Sequence, residues 1–242
     1  MPEEKKQKPI HEDHRARMQE RVRRDGLEGL AEHEVLEYLL FFAIPRKDTN
    51  ALAHQLIQHF GSFCAVLEAD EDELRKVEGI GPASARLISS LLACHRYYLI
   101  KRRVPRRALS KTENAIEYVR PLFFGKQNEL FYLIAMDEDY IPLRDIRIAE
   151  GIPNKVRFDP VKLARAAVGT GCTCALLAHN HPTGLAVPSA ADFNATCLLI
   201  RTLGPLGIEI VDHIIIAPTD ASSMQQTGRM PRYDPLNDRV VY

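Results

Sequence analysis

The hydrophobic positions along the chain have two different spacings. In the first part they recur every three or four residues, which predicts amphipathic helices. The segments with this spacing are HEVLEYLLFFAI (33–44), TNALAHQLIQHF (49–60) and 70–100. Pro45 and Gly61 mark the ends of the first two, and Thr49 or Asp48 is a candidate N-cap of the second. We therefore predict a small all-α domain over residues 11–100.

In the second part, short apolar runs typical of strands alternate with helical segments. The predicted strands are 129–137, 140–151, 174–179 and 208–217, and the predicted helices are 112–123, 160–171 and 189–207. Strands interleaved with helices are typical of an α/β domain, which we place at residues 112–217. The polar segment 218–242 has no such period, and we expect a loosely ordered C-terminal tail there.

A basic segment separates the two parts. KRRVPRRALSK (101–111) contains six basic residues, one proline and no acidic residue, which predicts a linker. Two interpretations remain open: a solvated connector, or a strap that contacts phosphate through residues such as Arg102 and Arg103. The charged, polar residues 1–10 are predicted to be disordered.

Composition narrows the class of protein. The chain of 242 residues, 45% apolar and 26% charged, is long enough for two globular domains. No apolar run reaches the roughly 18 residues that cross a bilayer, and the first twenty residues lack the apolar segment of a secretory signal. Five cysteines form no disulfide framework. We expect a cytoplasmic protein without membrane contact.

A glycine pair lies between two helical flanks in LRKVEGIGPASARLI. Gly79 and Gly81 resemble the helix-hairpin-helix motif, in which exposed backbone N–H groups and a helix N-terminus hold a nucleic-acid phosphate. The alternative is a tight connection between helices. Charge favours the alternative, because residues 1–108 contain nineteen basic and seventeen acidic residues and the whole chain contains thirty-two of each.

Chemically distinctive residues concentrate in AHNHPTGLAVPSAADFNAT (178–196). Side chains alternate along a strand, so His179 and His181 are expected on one face and Cys172 and Cys174 on the other. The two histidines are therefore a candidate pair of metal ligands. The two cysteines are predicted to be buried structural residues.

Asp192 is the candidate third ligand. Ser189 and Asp192 also have the spacing of a capping box, so a purely structural interpretation is available for both. The two interpretations are compatible, because a carboxylate in the first turn of a helix can also face the histidines. Two imidazoles, one carboxylate and an open fourth position are typical of a catalytic zinc site, where bound water is activated near neutral pH.

The segment HNHPTGLAVPSAAD resembles the JAMM (MPN-type) metalloprotease signature. The matching positions are His179, His181, Pro182, Ser189 and Asp192. Together with VEGIGPASARLI, ELFYLIAMD and VDHIII, it follows the order of the RadC family, so the resemblance covers about residues 11–217. It implies an α/β, cytidine-deaminase-like JAMM/MPN domain with a mixed sheet, preceded by a helix-hairpin-helix-like domain.

The resemblance also implies roles for individual residues. The three candidate ligands would hold Zn²⁺, and Ser189 would help to stabilise an oxyanion. Glu129, which opens a predicted strand, would be the general base, and Glu150 is the alternative in a context that matches the family less well. His213, at the end of another strand, is either a partner that orients a ligand or a hydrogen-bonded structural residue.

Three functions are compatible with these features. The first is a zinc-dependent hydrolase of the RadC/JAMM type, whose activated water attacks a peptide or isopeptide-like amide in a peptide or protein substrate, in a setting linked to DNA repair. The second is a non-catalytic DNA-binding repair or recombination accessory with a structural or vestigial zinc site. The third is a metal-dependent nuclease, because activated water also attacks phosphodiesters.

Overall fold

The computed structural model divides the chain into two compact units, Met1–His95 and Arg96–Tyr242. It describes residues 10–45, 47–103, 107–151 and 159–241. Most of the segment predicted to be disordered, residues 1–9, lies outside the described residues, as do residues 104–106 of the predicted linker. None of the helices in the described ranges combines the length and apolar character that a membrane span needs.

The first unit is helical, as predicted. The helices that begin in it, within the described ranges, are α1 (Ile10–Asp25), α2 (Glu32–Ala43), α3 (Asn50–Phe60), α4 (Phe63–Glu68), α5 (Glu71–Leu74) and α6 (Pro82–Lys101). The apolar residues spaced by three and four form one core, in which Leu36, Leu40, Leu56, Leu74 and Ile88 are fully buried. Burial of these side chains is what stabilises helices that are too short to persist alone.

Residues next to α3 in the sequence determine both of its ends. The helix ends at Gly61, whose φ of 91° is left-handed, so the predicted glycine stop is confirmed. At the other end, Oδ1 of Asp48 accepts the N–H of Asn50 at 2.9 Å, and the Thr49 side chain makes no capping bond. Of the two candidate caps, Asp48 therefore supplies the hydrogen bond.

Of the two glycines in the turn between α5 and α6, only Gly79 has a backbone conformation that requires glycine. Gly79 has a φ of 92°, and a Cβ on it would lie 3.3 Å from Cδ1 of Leu52. Gly81 has no left-handed backbone, and a Cβ on it would meet nothing within 4 Å. Gly79 thus serves the turn itself, and neither packing nor a left-handed backbone requires glycine at position 81.

We expect Gly79→Ala to lower the free energy of unfolding of the full-length chain by about 1–2 kcal/mol, because a Cβ is disfavoured at left-handed φ. Gly29→Ala is the matched control, since Gly29 is exposed and has space for a Cβ; its effect should stay within about 0.5 kcal/mol. Urea unfolding followed by circular dichroism measures both. Equal losses of unfolding free energy in the two variants would contradict a requirement for glycine at position 79.

The second unit is built on a mixed sheet. Its elements in the described ranges are α7 (Thr112–Phe123), β1 (Glu129–Met136), β2 (Pro142–Gly151), α8 (Pro160–Val168), β3 (Cys174–Asn180), α9 (Ala190–Leu203), a 3₁₀ turn (Gly204–Leu206), β4 (Glu209–Ile216), β5 (Ala221–Ser223), β6 (Arg232–Asp234) and β7 (Arg239–Val241). The five-stranded sheet has the order β2-β1-β3-β4-β5, and among these pairs only β3 and β4 are parallel. The predicted mixed α/β fold is confirmed.

Alternation along the strands distributes apolar side chains to two cores. On one face, Phe131, Leu133 and Leu177 pack with α8 and α9. On the other, Ile134 and Leu176 pack with α7. The central strand β3 is buried along its whole length, which explains its nearly continuous apolar run.

One detail of the predicted alternation is wrong. Cys172 and Cys174 are both buried and free, which confirms their predicted burial. They nevertheless lie in different cores: Cys174 on the α7 side and Cys172 on the side of α8 and α9. The reason is that β3 begins at Cys174, so strand alternation does not extend back to residue 172.

The segment after Pro218 is not loosely ordered in its described part, contrary to expectation. β5 pairs with β4, β6 and β7 form a hairpin, and Met224 and Val240 are buried. The Tyr233 ring lies against Gly204, where it leaves no room for a Cβ. Strands of three residues are too short to give a period in the sequence. The exact domain boundaries remain predictions.

Candidate metal centre

His179 and His181 come from the end of β3 and the residue after it. His179 is the penultimate residue of the strand and is buried. The N–H of His181 donates to the carbonyl of Ile216 on β4 at 2.8 Å, so the extended backbone continues past the end of β3. His181 therefore returns to the face of His179, as the spacing predicted.

Asp192 comes from the first turn of α9. Ser189 caps this helix: its Oγ accepts the N–H of Asp192 at 3.2 Å, while Oδ2 of Asp192 accepts the N–H of Ser189 at 2.7 Å. The predicted capping box is therefore present. The other carboxylate oxygen, Oδ1, lies 3.1 Å from Nε2 of His179. Asp192 thus caps its helix with Oδ2 and approaches His179 with Oδ1.

The three side chains converge on one point. The Nε2 atoms of His179 and His181 are 2.9 Å apart, and Nε2 of His181 lies 3.6 Å from Oδ2 of Asp192. Ligands about 2.0–2.1 Å from a tetrahedral zinc ion would be about 3.3 Å from one another. The observed separations bracket this value. Within the described ranges, no other group of three His, Cys, Asp or Glu side chains is placed to hold a metal.

The hydrogen bonds on the outer side of both rings fit a cation at this point. Nδ1 of His181 lies 2.9 Å from the carbonyl of Leu185. Because a carbonyl only accepts, Nδ1 of His181 donates, and the neutral ring has its lone pair on Nε2. Nδ1 of His179 is likewise engaged outside the centre, 2.8 Å from Nε2 of His213. Nε2 of His181 and the Asp192 carboxylate are thus acceptors, which a divalent cation satisfies.

Glu129 lies beside this centre at the start of β1. Phe131, two residues after Glu129, pairs with His179 across the β1–β3 ladder, and the charges of His179, His181 and Asp192 act on the Glu129 carboxyl group. The Asn180 side chain holds this end of β1: its Oδ1 accepts the N–H of Leu130 at 2.7 Å, and its Nδ2 donates to the carbonyl of Asn128 at 3.1 Å. Both peptide groups that flank Glu129 are thereby fixed.

The second unit matches a known protein family. Residues 109–229, half of the chain, match the family model of the RadC-like JAB domain. The chain belongs to this family. The match includes the three converging side chains and Glu129, and it ends before the β6–β7 hairpin. The RadC resemblance inferred from the sequence motifs is confirmed, while the helix-hairpin-helix assignment of the first unit, which lies outside the match, remains a prediction.

The electrostatics of this RadC-like site separate the two carboxylates. Burial raises the pKa of Glu129 above its ordinary value, against the opposing attraction of His179 and His181. Burial acts in the same sense on Asp192, but the contacts with the two histidines outweigh it and place the Asp192 pKa far below its ordinary value. Asp192 is therefore a permanent anion, and Glu129 is the better proton acceptor near neutral pH.

The pKa values of His181 and His213 are shifted in opposite directions. The hydrogen bond with Asp192 raises the pKa of His181, against the effect of burial. Burial holds the pKa of His213 well below its ordinary value, so the ring is neutral. The Phe131 ring stacks on His213, with centroids 5.2 Å apart and planes at 17°. His213 is thus a neutral, enclosed neighbour of His179. The side chains of His179, Asp192 and His181 are 7%, 17% and 19% exposed, so the centre lies at the edge of the buried region.

Three other predicted site residues of the second unit have structural partners. The Ser189 hydroxyl donates to Oδ2 of Asp192 at 2.7 Å. Glu150 on the edge strand β2 pairs with Arg147 at 2.6 Å. Arg103 pairs with Asp145 at 2.5 Å and lies over the Tyr118 ring.

The residues predicted to contact nucleic acid are divided between the two units. Gly79 and Gly81 precede α6 in the helical unit, whereas Arg102 and Arg103 belong to the second unit. Arg102 is exposed, and its guanidinium lies 6.0 Å from the centroid of the Tyr98 ring. Of the two arginines, Arg102 therefore has the more accessible charge.

Thr196 was not predicted as part of the site. Its Oγ1 lies 2.7 Å from Nδ1 of His213 and 2.7 Å from the carbonyl of Asp192, and the residue is fully buried. Its position four residues after Asp192, one turn along α9, was the available signal. Nothing in the sequence shows that His213 of β4 lies against this turn.

Proposed function

We propose that this protein is a zinc-dependent hydrolase of the RadC/JAMM type that cleaves a peptide or isopeptide-like amide. The observation that carries the proposal is the convergence of His179, His181 and Asp192, with the lone pair of His181 directed inward by its bond to Leu185. Two nitrogens and one oxygen are a ligand set that suits zinc and leaves a position open. When bound, zinc supplies Lewis-acid activation of water and of the scissile carbonyl.

Glu129 would act as the general base. Its raised pKa and its position beside the two histidines suit a group that takes a proton from the attacking water and gives it to the departing amine nitrogen. The C–N bond breaks, water adds across it, and the products are a carboxylic acid and an amine. Asn180 would keep the Glu129 backbone in place during both transfers, through its bonds to Leu130 and Asn128.

Ser189 would stabilise the oxygen that gains negative charge. Its hydroxyl already donates a hydrogen bond, to Oδ2 of Asp192. Rotation of the hydroxyl about the Cβ–Oγ bond would redirect the same proton to a substrate oxygen, while Oγ would keep the N–H of Asp192 and the backbone N–H of Ser189 would keep its bond to Asp192. Removal of one donor of this type typically costs about 10²–10³ in turnover.

An unbiased cleavage screen tests the proposed reaction. We expect the zinc-loaded full-length protein to release new amines from a mixed library of linear peptides and peptides branched through lysine Nε. Mass spectrometry identifies the products, and the Glu129→Gln protein processed in parallel defines the background. Equal product patterns for the two proteins would contradict hydrolysis at this site.

The alternative function is a DNA-binding accessory role, which the turn at Gly79 and the exposed Arg102 favour. A helix N-terminus that follows a glycine turn is a suitable phosphate site. This role predicts salt-sensitive binding of duplex, single-stranded or branched DNA, weakened by substitutions at Gly79, Gly81, Arg102 or Arg103. Fluorescence anisotropy at low salt measures it, and absence of binding to all three would exclude it. Cleavage of the same DNA would instead support a nuclease.

We also infer a reducing, cytoplasmic setting. All five cysteines lie in the described part of the chain and are free. Structural disulfides are characteristic of oxidising compartments and rare in reducing ones. Thiol titration of the protein purified without reductant should give five reactive thiols after denaturation.

A further inference from the structure

A buried hydrogen-bond chain connects the outer nitrogen of His179 to the backbone of Asp192. Nδ1 of His179 lies 2.8 Å from Nε2 of His213. Nδ1 of His213 lies 2.7 Å from Oγ1 of Thr196, which lies 2.7 Å from the carbonyl oxygen of Asp192. The chain therefore begins at one candidate ligand, passes through two buried side chains and ends on the residue that supplies another.

One direction of donation along this chain leaves Nε2 of His179 without a proton. The Asp192 carbonyl only accepts, so the Thr196 hydroxyl donates its single proton there. Oγ1 of Thr196 then accepts from Nδ1–H of His213. A neutral imidazole has one N–H, so Nε2 of His213 accepts from Nδ1–H of His179. In the neutral His179 ring the lone pair is consequently on Nε2, the atom that faces His181 and Asp192.

Among the described residues, the neighbours of this chain give no further proton to the ring nitrogens of His213. Sδ of Met224 lies 3.8 Å from Oγ1 of Thr196, and a thioether sulfur only accepts. The Phe131 ring covers one face of His213. The Asp212 carboxylate, next in sequence, accepts from the Ser223 hydroxyl and from the N–H groups of His213 and Gln225. It therefore makes its bonds away from the His213 ring nitrogens.

We propose that His213 and Thr196 are positioning residues that hold the proton of His179 on Nδ1 and so present the Nε2 lone pair to a metal cation. The inference rests on the proposed metal-dependent function. Neither His213 nor Thr196 is itself one of the three candidate ligands. Without an acceptor at Thr196, His213 can place its proton on Nε2 and donate it to His179. The His179 proton then moves to Nε2, where it blocks coordination. Partners of this kind typically contribute 10–100-fold to metal affinity.

Zinc affinity tests the proposal without a substrate. Metal-free full-length protein competes with a chromophoric chelator for zinc, and Thr196→Val should bind about 10–100-fold more weakly than wild type. Thr196→Ser, which keeps the hydroxyl, should stay within about threefold of wild type. Thr202→Val is the matched control, because the Thr202 hydroxyl also donates to the carbonyl four residues earlier, that of Leu198, on an exposed face of α9.

A spectroscopic measurement tests the same chain in the wild type. Long-range ¹H–¹⁵N correlation spectra of the metal-free, ¹⁵N-histidine-labelled protein at mildly alkaline pH distinguish the two neutral tautomers. We expect Nδ1–H in both His179 and His213. A proton on Nε2 of His213, or wild-type affinity in Thr196→Val, would overturn the proposal. Failure of the wild type to bind zinc would instead overturn the proposed function. If Thr196→Val did not fold, the spectra of the wild type would still identify the two tautomers.

Discussion

Replacement of Glu129 by glutamine is expected to lower amide hydrolysis by about 10²–10⁴-fold while zinc content stays unchanged. Glutamine has nearly the same shape but accepts no proton at neutral pH, so the attacking water loses its base. The loss should be in kcat, because Glu129 is assigned to proton transfer and not to substrate binding. Parallel measurement of turnover and of zinc by mass spectrometry separates the two effects.

The control for this variant is Glu150→Gln. Glu150 lies across the β1–β2 ladder from Leu130 and pairs with Arg147 on the edge strand. It was the alternative general base, and its replacement should leave turnover within about twofold of wild type, because an exposed ion pair contributes little. Loss of activity in Glu150→Gln, with activity retained in Glu129→Gln, would reverse the assignment.

Replacement of Asp192 by alanine is expected to have two separable effects. The protein should lose its zinc, because one of three ligands and the negative charge of the site are removed. The metal-free variant should also be less stable than metal-free wild type by about 0.5–2 kcal/mol, because Oδ2 of Asp192 is one half of the capping box of α9. Zinc analysis and urea unfolding in the presence of a chelator measure the two effects.

Two controls assign these effects. Asp159 caps α8 by accepting the N–H groups of Val161 and Lys162, so Asp159→Ala should lose comparable stability and keep zinc. His179→Ala should lose zinc without the loss of a helix cap. If Asp192→Ala kept its zinc, Asp192 would be a cap alone.

Much of the α/β unit could be predicted from local signals. The runs ELFYLIAM and CALLAHN are apolar and long enough to identify β1 and β3, because strands buried on both faces have nearly continuous apolar sequences. The same alternation placed His179 and His181 on one face. The capping box at Ser189 could also be predicted, since it depends on two residues three apart.

The rest depends on contacts between distant segments. His213 meets His179 because β3 and β4 pair in parallel, with Leu177 opposite His213, and sequence alone does not set this register. Thr196 joins them only because α9 packs on the same face of the sheet. The strands β5, β6 and β7 are three residues each. Strands of this length give no detectable period, so the order of the C-terminal segment could not be predicted.

The central claim is that the three converging side chains are a zinc site, and the metal content of the native protein tests it most directly. Full-length protein purified without an affinity tag or chelator should contain about one zinc per chain by mass spectrometry, as a single mononuclear site requires. His179→Ala purified in parallel should contain almost none. Wild-type protein that carries no metal, and that takes up no zinc when titrated, would contradict the account.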